Sequence, residues 1–304
     1  MRDGLQMEDR VVPTSQKLLW IERLAATGID ALQVGSFVHP SKVPPMADTD
    51  RLFAELRRPG RVASGCTLTA LVLNEKGLDR ALACGVEMVC LGVSASETHS
   101  RKNTGMPVEE AMERICATAR RAESAGITTQ LSVQSAFGCG YEGPVPPGRV
   151  LGIIRRYLEN GFRAISLADT AGHAVPDRVE RLFEDARALA PDADFACHFH
   201  NTYGLALANC AAAMRAGVTS VESSVGGLGG CPFTAIAGGN VCTEDFLHMI
   251  QHMGFRPDIR LQDYIDVAKS VSAFFGRELP GTVYRTGTIP DRQPAESPRA
   301  GELT

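Results

Sequence analysis

One arrangement recurs along the chain: an amphipathic helical stretch, a glycine, then a short run dominated by Val, Ile, Leu or Phe. It is read in AATG-IDALQVGSF, LACG-VEMVCLGVS, ESAG-ITTQLSVQS, LENG-FRAISLAD and MRAG-VTSVESSVG. Gly28, Gly85, Gly126, Gly161 and Gly217 stand where a helix needs a left-handed residue to end. Two further runs, RVASGCTL and DFACHFHN, follow Pro59-Gly60 and Pro191, so proline supplies the stop there. Within SQKLLWIERLAA the helical period puts Leu18, Leu19, Ile21 and Leu24 on one face. The pattern predicts seven strands, at 30–37, 61–67, 87–94, 127–135, 163–169, 194–200 and 219–225.

Successive units lie about 25 to 40 residues apart, the length of a strand with its returning helix. The strands are near-continuous apolar runs, which suits a parallel sheet covered by helices. Seven such strands, with no glycine-rich dinucleotide loop after the first, predict an eight-stranded (β/α)8 TIM barrel lacking one strand. A doubly wound sheet is the alternative. In a barrel, functional residues sit at the C-terminal ends of strands. The opening M-R-D-G-L-Q would be such an end, with its strand expected before Met1. A single barrel domain is expected over 1–283, followed by a loose tail over 284–304 in which apolar residues are few.

The hydrophobic fraction of 44% is that of a globular chain with a real core. A net charge of −4 gives no electrostatic reason to expect nucleic acid or an anionic membrane as partner. No apolar run reaches membrane-spanning length and no basic-then-apolar leader is present, so a cytoplasmic location is expected. The nine cysteines are scattered without a C-x-x-C pair, as free thiols in a reducing compartment would be.

C-H-F-H-N at 197–201 ends the seventh strand, counting the absent one as first. His198 and His200, two residues apart on a strand, face the same way and suggest a metal site. Oxygen donors at other strand ends are Asp3, Asp169 in SLADT and Asn240 in GGN. Two imidazoles with a carboxylate and an amide suit octahedral Mg²⁺ or Mn²⁺ better than a closed zinc site. Each has a plainer reading: Asp3 and Arg2 as solvated terminal charges, Asn240 as a turn residue, Asp169 as a helix cap. In SVGGLGGCPF, residues 224–233, five of ten residues are Gly or Pro, which makes a flexible loop carrying Cys231. No G-K-[ST] follows, so it is not a P-loop.

Together R-D-G-L-Q, S-F-V-H-P-x-K-V-P-x-M-A-D, G-C-G-Y-E-G, S-L-A-D-T, H-F-H-N-T-Y-G-x-A-L-A-N and S-V-G-G-L-G-G-C-P-F resemble the 3-hydroxy-3-methylglutaryl-CoA lyase family. The resemblance runs from residue 2 to about 275 in constant order. It implies a TIM barrel that uses a divalent cation to split a 3-hydroxyacyl-CoA into acetyl-CoA and a ketoacid. It implies Asp3, His198, His200 and Asn240 as metal ligands, and Arg2 as the cation beside the reacting carbonyl. Cys231 would be a thiol on a closing loop, and Asp169 an active-site acid. With His198 these are the catalytic candidates. An acyl-CoA thioester is the implied partner, and a homodimer or higher homo-oligomer is expected.

Two positions depart from that family's pattern. Gln33 stands where Glu is usual and Gln130 where Arg is usual. Both losses together conserve charge, and they point to a different acyl group. A Claisen synthase or pyruvate aldolase, which shares R-D-G and H-x-H, and a catalytically impaired metal-binding barrel are the competing expectations.

Overall fold

The computed structural model describes residues 1–62, 65–230 and 239–290. The chain begins with α1 (Arg2–Gln6) and α2 (Thr14–Ala25), followed by β1 (Ala31–Ser36), a 3-10 turn at Pro44–Met46 and α3 (Thr49–Leu56). Next come β2 (Thr67–Leu71), α4 (Glu75–Cys84), β3 (Met88–Ser94), α5 (Glu97–Thr104), α6 (Val108–Ser124) and β4 (Thr128–Gln134). The second half runs α7 (Pro147–Glu159), β5 (Ala164–Asp169), α8 (Pro176–Leu189), β6 (Asp194–Phe199), α9 (Ala206–Arg215) and β7 (Ser220–Glu222). Helices α10 (Thr243–His252), α11 (Leu261–Phe275) and α12 (Val283–Thr286) close the chain.

All seven strands are parallel and lie in sequence order, β1 to β7. This is the wall of a TIM barrel. Among the described residues β1 and β7 pair with nothing on their outer sides, which is the gap that an absent first strand predicts. The glycine stops behave as expected. Gly28, Gly85, Gly126, Gly161 and Gly217 all have φ between +63° and +101°, which lets each helix turn sharply into the next strand. No described helix is long and apolar enough to cross a membrane.

Two expectations are corrected. The strand expected at 61–67 is β2 at Thr67–Leu71, because Gly65 at φ +100° breaks the extended backbone before it. The buried face of α2 is Lys17, Trp20, Ile21 and Leu24, while Leu19 is 47% exposed. The apolar run LLW misleads there, since spacing from Trp20, which packs on α11, rather than from Leu19 sets the buried face. At the other end, α12 crosses the boundary expected at residue 283, with Tyr284–Thr286 falling in the stretch read as a tail. Asp245 accepts from the backbone N–H groups of Thr282 and Val283, and Tyr284 is buried.

The barrel interior is polar where many such barrels are filled by branched aliphatic layers. In β4 the buried Thr129, Leu131 and Val133 alternate with half-buried Gln130, Ser132 and Gln134. The Cys90 thiol donates to Gln130 Oε1 across β3 and β4 (3.5 Å), and Ser166 Oγ donates to Glu222 Oε1 (2.7 Å). A polar lumen under a polar mouth suits a substrate with several oxygens.

Candidate active site

The residues drawn to one point come from both ends of the chain. Helix α1 lays its apolar side, Leu5 and Met1, into the core, which turns Arg2 and Asp3 toward the mouth. Their side chains are only 12% and 16% exposed, so they are not solvated terminal charges. His198 and His200 project together from the end of β6, with their Nε2 atoms 3.1 Å apart. An antiparallel bridge sets Asn240 opposite His200, framed by hydrogen bonds from Asn201 N–H to Gly239 O and from Val241 N–H to Phe199 O.

Ligand atoms of Asp3, His198 and His200 lie within 4.8 Å of one another. Asn240 Nδ2 donates to Asp3 Oδ2 (2.5 Å) and to Leu228 O (2.9 Å), while its Oδ1 is buried and has no hydrogen-bond partner among the described residues. An orphaned buried oxygen beside a carboxylate and two facing imidazoles is a donor set of the kind a divalent cation takes. The residues fit a divalent metal.

A second layer fixes these donors. His198 Nδ1–H donates to Glu222 Oε2 (3.1 Å), and Ser166 braces the other carboxylate oxygen. With Nδ1 committed, Nε2 is the ring atom left for a metal, the usual carboxylate–histidine arrangement. Arg2 Nε donates to Gln33 Oε1 (2.5 Å) and its Nη1 to Asp3 Oδ1 (2.6 Å), while Gln6 Nε2 donates to the same Oδ1 (2.6 Å).

The electrostatics follow from these contacts. Burial pushes the Asp3 carboxyl up, but Arg2, His198, His200 and the Asn240 amide together hold it down at about 2. Burial lowers His198, yet the hydrogen bond and charge of Glu222, with Asp3, raise it above the usual imidazole value. Burial raises Glu222, and His198 more than reverses that.

Asp169 stands apart from the ligand cluster. Its two oxygens accept from the backbone N–H groups of His173 (2.8 Å) and Ala174 (3.0 Å), closing the loop after β5. Burial pushes it up to about 6, against the pull of those donors. Cys231 lies outside the described residues, as does most of the loop's second half.

Glu222 and Glu244 are the residues that sequence reasoning missed. Glu222 was hidden in an ordinary alternation, SVE. Its only cue was a carboxylate on the strand after H-x-H. Glu244, fully buried at the start of α10, accepts from Gly226 N–H with both oxygens (3.0 and 2.9 Å) and pins the first half of the glycine loop. Burial pushes it up to about 7 from an ordinary 4.5. Between those values the folded chain keeps a proton that the unfolded chain loses, so stability falls as pH rises through this window and levels off above it. The slope is at most about 1.4 kcal/mol per pH unit. Glu244→Gln should flatten unfolding free energy against pH from 4.5 to 7, measured by denaturant titration. Parallel curves for the two proteins would refute the assignment.

Comparison with known proteins agrees with this geometry. The HMGL-like family model matches residues 1–271. A hydroxymethylglutaryl-CoA lyase of Bacillus subtilis is 37% identical over 279 residues, covering 92% of each chain. An (R)-citramalyl-CoA lyase of Chloroflexus aurantiacus is 35% identical, covering 95% of this chain and 93% of the other. Among solved structures, an HMG-CoA lyase of Acinetobacter baumannii in complex with coenzyme A and 3-methylmalate superposes with a TM-score of 0.90 at 33% identity, covering 96% of this chain and 94% of that one. A barrel wall of seven parallel strands with a ligand cluster at its mouth, matched over nearly its whole length, belongs to the HMGL-like family of carbon–carbon lyases.

Proposed function

We propose that this chain is a divalent-metal-dependent acyl-CoA lyase that cleaves a 3-hydroxyacyl-CoA to acetyl-CoA and a ketoacid. The observation that carries the proposal is the convergence of Asp3, His198, His200 and Asn240, with Arg2 bonded to Asp3 beside them. Mg²⁺ or Mn²⁺ held there supplies Lewis-acid polarisation of the substrate's alcohol. Retro-Claisen cleavage takes the proton from the tertiary hydroxyl, breaks the C2–C3 bond and leaves the electron pair in a thioester enolate. C3 becomes a ketone, and C2 takes up a proton to give acetyl-CoA.

Arg2 is oriented for the enolate. Its Nε and Nη1 are held by Gln33 and Asp3, and no hydrogen bond among the described residues uses Nη2, which can meet the thioester oxygen. Glu222 and Ser166 keep His198 in the one tautomer and rotamer that serves the cluster. Proton transfer falls to groups that change protonation near neutral pH. Asp169, pushed up to about 6, is such a group, and the resemblance adds His198 and Cys231 as candidates by residue type.

Gln33 and Gln130 bear on the acyl group. Gln33 carries Arg2, and Gln130 accepts from Cys90 in the lumen below. Two neutral amides there favour an acyl end that differs in charge or size from methylglutaryl, and a citramalyl thioester is the first alternative. The test is a panel of 3-hydroxyacyl-CoA thioesters, including 3-hydroxy-3-methylglutaryl-CoA and citramalyl-CoA, assayed for acetyl-CoA release with Mg²⁺ or Mn²⁺. The double variant Gln33→Glu with Gln130→Arg should shift the ratio of kcat/KM values toward the methylglutaryl thioester by about ten-fold or more. An unchanged ratio removes the two glutamines from specificity. Metal binding without cleavage of any thioester would favour the impaired barrel instead.

A further inference from the structure

We propose that Lys17 is a positioning residue for the candidate metal site, acting through the 3-10 turn that supports Arg2 and Asp3. The inference rests on Asp3 being a ligand. Lys17 projects from α2 and is 2% exposed, an unusual place for an ammonium group. Its Nζ donates to Pro45 O (2.5 Å) and to Asp48 Oδ1 (2.6 Å). Thr14 Oγ1, one helical turn earlier on α2, donates to Asp48 Oδ2 (2.9 Å). Helix α2 therefore grips the Pro44–Met46 turn at its middle, through Pro45, and again just after it, through Asp48.

That turn packs on α1, and Met46 and Leu5 are both buried. On its other side α1 meets the glycine loop, where a Cβ on Gly4 would lie 3.1 Å from Leu228 Cβ. Helix α1 has only five residues and no side-chain cap, so it has little stability of its own. Its direction is set by what it is pressed between. Removing the ammonium leaves Asp48 with only the Thr14 hydroxyl as donor and takes the Lys17 donor from Pro45 O, so the turn loses its charged tie to α2 and rests on α1 by apolar packing alone. Asp3 then loses its register with His198, His200 and Asn240.

The experiment measures Mn²⁺ binding by the full chain, by calorimetry and electron paramagnetic resonance, well below the melting temperature of every variant. Lys17→Met should weaken Mn²⁺ binding by about ten-fold or more, and Lys17→Arg should restore part of the loss. Asp48→Asn and Thr14→Val keep the fold's volume and probe the same grip if Lys17→Met does not fold. The control is Trp20→Phe on the same helix as Lys17, which removes the hydrogen bond to Ser270 of α11 and lowers stability without touching the turn. Wild-type affinity in Lys17→Met or Asp48→Asn, or equal weakening in Trp20→Phe, overturns the proposal. Absence of Mn²⁺ binding in the wild-type chain overturns the metal site itself, and the role of Lys17 with it.

Discussion

Asp3→Asn is expected to abolish useful metal binding while leaving the barrel folded. The replacement has the same shape. An asparagine oxygen in the place of Oδ1 can still accept from Arg2 and Gln6, while the NH2 in the place of Oδ2 keeps a partner only if Asn240 turns its own oxygen toward it. The charge goes. Asp3 is the anion in a set whose other donors are two imidazoles and an amide, and a hard divalent ion depends on it. Loss of an outer-shell partner alone typically costs 10- to 100-fold in metal affinity, so losing this ligand should cost at least about 100-fold. Turnover should fall further, by about 10³-fold, because Arg2 also loses the carboxylate that aims it. The sign of the accompanying stability change follows from the carboxyl being held at about 2 rather than 3.8. That stabilisation is present above the ordinary value and is lost as pH falls through the folded one. It is worth about 2 kcal/mol at neutral pH. Wild-type Mn²⁺ affinity in this variant would show that the cluster is not a metal site.

The frame of this molecule was legible because its punctuation is local. A left-handed glycine at the end of a helix is a backbone requirement that leaves its mark at one position, and five such marks located most of the strands. The exceptions have physical causes. Pro59-Gly60 marks where a helix must stop but says nothing of where β2 resumes, and Gly65 delays it. In α2 the hydrophobic count favoured Leu19, yet Lys17 faces inward because Asp48 and Pro45 O receive its ammonium. A buried lysine looks like any surface lysine until its acceptors are known.

The site was legible in pieces. His198 and His200 announce themselves by spacing alone. Arg2 and Asp3 do not, since terminal charges are solvated by default, and only the resemblance placed them at the centre. What buries them is the packing of Leu5 and Met1. Glu222 reaches the site only through the parallel pairing of β6 and β7, in which His198 lies opposite it. No pattern within SVE carries that neighbour. Asp169 does not cap the next helix, which starts from Val175 with no side-chain cap; it ties down the loop before that helix through backbone donors, and burial pushes it up to about 6.

Gly229→Ala should disable the site as thoroughly as loss of a ligand, although Gly229 offers no ligand itself. Its backbone has φ +105°, where an L side chain is strained by about 1–3 kcal/mol. Strain alone would be tolerable. The added methyl, however, would sit 2.3 Å from Asn240 Nδ2, 2.9 Å from the Asp3 carbonyl oxygen and 3.0 Å from Asp3 Oδ2. None of these can yield cheaply. Asn240 is 2% exposed and tethered to Leu228 O, and the Asp3 carbonyl belongs to the backbone of α1. The loop and the ligands must separate, and the donor set opens. Mn²⁺ affinity and thioester cleavage should each fall by about 10²-fold or more, with the far-ultraviolet circular dichroism of the barrel unchanged. Gly105→Ala is the matched control, for Gly105 also has a positive φ of +79° but nothing within 4 Å of its added carbon. It should lose about 1 kcal/mol of stability and keep full metal binding. If the two variants behave alike, the contact between the glycine loop and the ligands has no functional consequence, and the loop's glycines answer only to backbone geometry.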